Sequence, residues 1–234
     1  MDENKGGHDH AAAHETPWHR TKRITKRVWH FLWVEDSVAS WIANIIVAFL
    51  LIKFIVYPVL GAVLGTTYPI VAVVSGSMEH DASFNDWWID VCAPGGRPLT
   101  FADGTSVTPE RLYGTFDIDQ GAFEAYPFHN GFDKGDLMIL YSGQSVRVGD
   151  VLVFATAGLS DPVIHRIVDI RQDGQDSPRY YTMGDHNCRQ HPFEQGITQQ
   201  QVLGKAVVRI PWLGWIKIGF VELIQFIRSI IIGR

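Results

Sequence analysis

"VAVVSGSMEH", Val71 to His80, decides how the rest of the chain reads. A β-branched run stops abruptly at Ser-Gly-Ser-Met, close behind the longest apolar segment of the sequence. A tight turn containing glycine at a strand end can project a hydroxyl and leave neighbouring backbone N–H groups unpaired. Those are two requirements of a nucleophile with an anion-stabilising site. Taken alone the signal is weak, because most serines beside glycine are simply turn residues. Its meaning depends on what lies before and after it.

Before it lies "VASWIANIIVAFLLIKFIVYPVL", Val38 to Leu60. Crossing a bilayer takes ~20 mostly apolar residues, so this segment is expected to span one. Lys53 sits towards its later end, where the side chain can snorkel to the interface, and Pro58 can kink or end the helix. The segment begins too late and runs too long for a cleaved secretory leader, so it reads as a retained signal-anchor. "RTKRITKR" (20–27) precedes it with five basic side chains and no acid. The positive-inside rule then places the N-terminus in the cytoplasm and the bulk of the chain outside, at the cell membrane. Trp29, Trp33 and Trp41 suit an interfacial belt. The four histidines of the first nineteen residues, His8, His10, His14 and His19, read as part of a polar tail.

After the serines come short Val-, Ile- and Tyr-rich runs bounded by Gly, Asp and Pro: 68–74, 136–141, 150–155, 163–169, 179–183 and 202–210. No long helical period separates them. The expected fold class is therefore mainly β, an antiparallel barrel-like domain flanked by membrane helices. Residues 81–132 look like an insertion between two strands, with a small hairpin and with Trp87 and Trp88 in a local core. "IKIGFVELIQFIRSIIIGR" closes the chain with Glu222, Gln225 and Ser229 at helical spacing, which suits an amphipathic helix in the membrane interface; a second crossing is the runner-up. The expected organisation is a basic and histidine-bearing segment over 1–37, anchor and exit over 38–66, a β domain over 67–215 and a membrane-associated helix over 216–234. The formal net charge of −5 argues against a general nucleic-acid binder.

A serine nucleophile needs a base. "DPVIHRIVDI" sets His165 on a strand in phase with Val163 and Ile167, and neutral imidazole is the ordinary partner of a serine. "YYTMGDHN" then runs a strand into Gly184-Asp185, where a carboxylate can orient that imidazole. Each piece is modest, but the order Ser, His, Asp at strand positions is more specific.

Together "SGSME" (75–79), "GDVLVF" (149–154), "VIHRI" (163–167), "GDHN" (184–187) and "VLGKAVVRIPWLGW" (202–215) resemble the ordered boxes of type I signal peptidases, in the archaeal and endoplasmic-reticulum branch. The likeness covers roughly Tyr68 to Trp215. Bacterial relatives use a lysine as base; this sequence has no lysine between Lys134 and Lys205, and His165 stands in that box. The resemblance implies Ser77 as acylating nucleophile and His165 as general base. Ser75 and the Ser77 N–H would stabilise the oxyanion, Met78 would belong to that oxyanion and substrate-binding region, and Asp185 would support the site. The implied substrates are secretory precursors, cut after small residues at −1 and −3. Membrane lipid and the protein-translocation machinery are the implied surroundings, and no cofactor or metal is expected.

Two departures stand out. The serine box continues with His80 where the family has proline. The position six residues past Asp185, where this branch carries a second aspartate, is His191. Asp185 would then act alone, or Glu194 would substitute. Cys92 and Cys188, the only cysteines, leave three readings open: a disulfide tying the insertion to the "GDHN" loop, a zinc shared with two nearby histidines, or two thiols. From a different class, an inactive homologue that binds signal peptides or scaffolds a translocation complex draws its support from His191.

Overall fold

The computed structural model describes residues 17–143, 145–172 and 178–232. The histidine-bearing tail over 1–16 lies outside them. The chain divides into two compact units, Met1–Tyr57 and Pro58–Arg234.

In the first unit, helix α1 (Pro17–Trp33) is followed by α2 (Val38–Leu51). Ser37 starts α2 by accepting a hydrogen bond from the Ser40 N–H at 3.1 Å, the usual role of an N-cap serine. The polar residues of α2 are satisfied locally: Ser40 donates to the Phe31 carbonyl and Asn44 to that of Leu32. Helical structure then continues through a π turn at Ile52–Val56 into α3 (Tyr57–Leu64). Pro58 has no N–H to offer the preceding turn and its ring crowds that turn's carbonyl. Widening the helix just before it by one π turn accommodates the ring, so the helix continues past Pro58 to Leu64 rather than ending near Leu60. Gly65, at φ 65°, then closes it in the left-handed conformation that glycine adopts most readily. Val38–Leu64 is 27 residues, and among the described residues it is the one helix long and apolar enough to cross a membrane.

The second unit is built on six strands: β1 (Ile70–Ala72), β2 (Leu137–Tyr141), β3 (Val151–Phe154), β4 (Val163–Arg171), β5 (Arg179–Met183) and β6 (Val202–Ile210). All six expected runs form strands. They pair antiparallel in the order β1-β2-β6-β3-β4-β5. β1 and β5 lie at opposite ends and do not pair, so the sheet is open and the barrel-like expectation is corrected. β1 is only three residues long because the chain turns away at Ser75–Ser77. The edge beyond β5 carries a single bridge, Tyr180 to Ile197.

Every side chain of β3 is buried, so both faces of the sheet are covered. On one face Val73, Phe132, Met138, Leu140, Val151, Val153 and Ile164 pack together. On the other, Leu152, Phe154, Ile167, Tyr180 and Ile197 do so. The insertion has a third core of its own, with Trp87, Trp88, Tyr113 and Phe123 packed against Val168 and Met183 of β4 and β5. Its helices are short: α4 (Phe84–Ile89), α5 (Pro109–Gly114) and α6 (Gln120–Glu124), capped by Ser83, Thr108 and Asp119. Helices this short are marginal alone, so aromatic burial of ~1.5–3 kcal/mol per large side chain holds them. The expected hairpin is present as a short one over 99–107: Thr100 bridges Ser106, flanked by hydrogen bonds from the Val107 N–H to the Leu99 carbonyl at 2.9 Å and from the Phe101 N–H to the Thr105 carbonyl at 2.8 Å. Helix α7 (Trp215–Ile232) comes after β6 with most of its apolar side chains exposed, Phe220, Phe226 and Ile230 among them.

Candidate active site

The turn bearing Ser77 is pinned from two sides. Its own carbonyl accepts from the His186 N–H at 2.9 Å, and the Met78 carbonyl accepts from the Phe132 N–H at 3.0 Å. Met78 itself is a core side chain packed with Val73 and Phe132, so it anchors the turn from beneath and does not line the cleft. Ser77 Oγ lies 2.9 Å from His165 Nε2, and Ser75 Oγ lies 3.2 Å from Ser77 Oγ. The "GDHN" box closes the space behind this pair. A Cβ on Gly184 would sit 2.7 Å from the Ser77 carbonyl oxygen and 2.8 Å from His165 Nε2, distances no real side chain tolerates. Only glycine fits there, which gives the first residue of that box a physical reason.

His165 is 4 % exposed. Its Nδ1 faces Glu194 Oε1 at 2.5 Å, and Glu194 is fully buried. The second oxygen of Glu194 accepts from the His191 N–H at 2.5 Å. The position where the family pattern expects a second aspartate therefore contributes its backbone, while the carboxylate comes from three residues further on. The turn at Pro192–Glu194 carries it into the sheet, with Phe193 packed against the core formed by Leu152 and Ile167. The His191 ring stacks on Phe193, with centroids 5.3 Å apart.

Asp185 is also buried, but its carboxylate is engaged elsewhere. It accepts from Arg166 Nη2 at 2.7 Å and Nε at 3.0 Å, and from the Tyr113 hydroxyl at 2.7 Å. His80 Nε2 lies 3.2 Å from its other oxygen, with the His80 ring stacked on Trp87 at 3.6 Å. Burial alone would raise the Asp185 carboxyl, but the Arg166 guanidinium and the His80 hydrogen bond outweigh it and hold it down at about 2. Arg166 itself, although buried, is kept above its ordinary value by Asp185. Its remaining donors go to the carbonyls of Pro127, Phe128 and Gly149, so it knots the end of the insertion to the sheet.

Cys92 and Cys188 are unbonded thiols that lie side by side, and burial together with the Cys188 thiol raises Cys92 above its ordinary value. Among the described residues no group of three or more His, Cys, Asp and Glu side chains is placed to hold a metal ion.

Ser77 and His165 open onto a cavity of about 340 Å³, bordered by Ala72 at the end of the edge strand, by Val74 just past it and by Asp161–Ile164 leading into β4. Chemically, the arrangement supplies a hydroxyl, an imidazole aligned to take its proton, a buried carboxylate behind that imidazole and a neighbouring hydroxyl donor.

No family model matches the chain. It is similar over 94 residues to the signal peptidase complex catalytic subunit sec11 of Pyrenophora tritici-repentis (strain Pt-1C-BFP), at 31 % identity, covering 37 % of this chain and 54 % of that protein. The corresponding subunit SEC11 of Leptosphaeria maculans matches at 30 % with the same coverage. Human SEC11C matches at 26 %, covering 37 % of this chain and 49 % of that protein. The chain thus spans about half the length of the curated relatives it matches. At the level of family, these likenesses bear out the resemblance carried by the sequence boxes.

Proposed function

From its kinship with the type I signal peptidases of the endoplasmic-reticulum and archaeal kind, we propose that this protein is a membrane-anchored serine endopeptidase that removes signal peptides from secretory precursors. The observation that carries the reading is the hydrogen-bonded chain Ser77–His165–Glu194 at the edge of an open cavity. In this reading Glu194 holds the Nδ1 proton of neutral His165, so that Nε2 is unprotonated and accepts the Ser77 proton as Oγ attacks the scissile carbonyl carbon. The oxyanion is met by the Ser77 N–H and the Ser75 hydroxyl. The imidazolium then returns its proton to the leaving amine, and water hydrolyses the acyl ester by the same route. Ala72, Val74 and Ile164 beside Ser77 suit small side chains before the scissile bond.

The helix Val38–Leu64 is the anchor in this reading, with the basic 20–27 stretch cytoplasmic and the second unit outside the cell membrane. The exposed apolar side chains of α7 lie in the lipid interface. Partner subunits are a proposal that rests on the relatives' names, and the translocation machinery one that rests on the resemblance of the sequence boxes alone. A carboxylate on His165 favours activity over an inactive scaffold, because binding alone has no need of it.

The test is cleavage of a signal-peptide-bearing precursor by the detergent-solubilised chain against its Ser77→Ala variant. The expected result is cleavage after a small residue by the parent and none by the variant. A folded parent that cleaves none of several precursors returns the weight to the scaffold reading.

A further inference from the structure

Bond cleavage at Ser77 makes no use of the larger cavity of the second unit. That cavity measures about 640 Å³, within the ~300–1,000 Å³ of pockets that enclose ligands, and lies between the insertion and the 185–191 loop. Trp87, Val91 and Leu99 give it an apolar wall; Asp90, Asn187 and His191 give it a polar rim. Asn187 and His191 also line the smaller cavity that holds Ser77 and His165. The two cavities are therefore neighbours across those two residues, and a chain lying over Ser77 passes from one to the other.

The direction of such a chain is set by the fold. The protein's own apolar helix ends at Leu64, and the link to β1 is fixed to the sheet by the Thr66 hydroxyl on the Leu203 carbonyl at 2.6 Å. β1 then runs towards Ser77, with Ala72 and Val74 bordering the smaller cavity. A precursor whose apolar segment occupies the same bilayer approaches Ser77 along that side. Its residues before the scissile bond fill the smaller cavity, and those after the bond continue over Asn187 and His191.

We propose that the larger cavity is a binding site for the mature part of the precursor, an extended peptide of several residues with an apolar side chain against Trp87 and Leu99. This rests on the peptidase reading and adds to it a task for the insertion: selecting precursors by the sequence after the cleavage point. Contacts remote from the reacting bond raise kcat/KM when they hold the substrate in register through the transition state, so truncating the mature side removes rate as well as affinity.

Two fluorogenic peptides test it, alike before the scissile bond with alanine at −1 and −3. One ends a single residue after the bond, and the other continues for six residues with leucine among them. The parent is expected to cleave the longer peptide with kcat/KM about tenfold higher. Ala93→Trp, a substitution at an exposed position lining the larger cavity, should bring the longer peptide down to the shorter one's rate. It should leave the shorter peptide unaffected, which also reports that the variant is folded. Equal rates for the two peptides in the parent, or an advantage that survives Ala93→Trp, overturn the proposal. A parent that cleaves neither peptide sinks the peptidase reading instead, and the cavity is then judged by binding of the labelled six-residue mature segment alone. Equal anisotropy titrations for parent and Ala93→Trp would overturn it; a weaker one for the variant would keep it.

Discussion

The two faces of β4 make the most instructive comparison in this molecule. His165 and Arg166 are consecutive, so the pleat sends their side chains to opposite faces of the sheet, and each meets its own buried carboxylate. On one face Glu194 meets an imidazole that also reaches a serine. On the other, Asp185 meets a guanidinium that reaches three carbonyls and nothing reactive. Both carboxylates are buried, and both stand in the connection from β5 to β6. What separates them is the partner that the alternation delivers. A carboxylate facing a base can orient it; one facing a permanent cation serves the packing around it. The pairing of Arg166 with Met183 fixes this, because Met183 and Asp185 then share the Arg166 side while Gly184 between them falls on the side of His165.

The largest expected effect of breaking the comparison is on the Glu194 side. Glu194 accepts two hydrogen bonds, one from His165 and one from the His191 N–H. Glu194→Gln keeps the shape but has only one acceptor oxygen. The backbone N–H cannot give up its proton, whereas the imidazole can shift its own. The amide oxygen therefore turns to His191 and its NH₂ to Nδ1, which moves the ring proton to Nε2 and removes the base. Loss of the correct tautomer costs on the order of 10³–10⁴ in kcat, about 4–5 kcal/mol of barrier. The variant should unfold near the parent's temperature and cleave a precursor at that reduced rate. Activity within tenfold of the parent would show that Glu194 does not orient the base.

The Asp185 side should answer in stability instead. Asp185→Asn leaves the Arg166 guanidinium buried without its counter-charge, and breaking one half of a buried pair costs about 3–5 kcal/mol. A lowered unfolding midpoint in detergent, with the folded fraction still cleaving within a few-fold of the parent, is the expected outcome. The reverse pattern, intact stability with activity lost as in Glu194→Gln, would give Asp185 the orienting role and dissolve the distinction between the faces.

Much of this is legible in the chain itself. The six strands announce themselves by β-branched content and turn residues, and Trp87 and Trp88 by adjacency, since paired aromatics usually pack. Ser77 and His165 emerge from motif order. Two features are not legible, for one reason: periodicity within a segment says nothing about its neighbour in space. The sheet reads as a barrel until β1 and β5 are seen at opposite edges. Asp185 reads as the carboxylate for His165 until the β4–β5 register turns it towards Arg166. Glu194 reads from the sequence only as a substitute carboxylate; its burial depends on Phe193 carrying the 192–194 turn into the sheet. The π turn before Pro58 has a local cause in the proline itself.

The smallest expected effect is on acidification, and it sharpens the contrast without touching the active site. Asp185 is held at about 2 in the folded protein, against ~3.9 for an unperturbed aspartate. As pH falls the unfolded chain takes up the proton first, so folding stability declines with it. The contribution is fully present above the unfolded value and is lost as pH falls through the range from ~4 to ~2, amounting to on the order of 2–3 kcal/mol. Asparagine has no proton to bind, so the stability gap between parent and Asp185→Asn should narrow as pH falls through that interval. Both proteins share every other titrating group, and taking the difference cancels the general acid sensitivity of the remaining carboxylates. A gap that stays flat down to pH 2 would mean that the Asp185 charge contributes nothing to the fold. The guanidinium's bonds to the three carbonyls would then have to hold that face of β4 on their own.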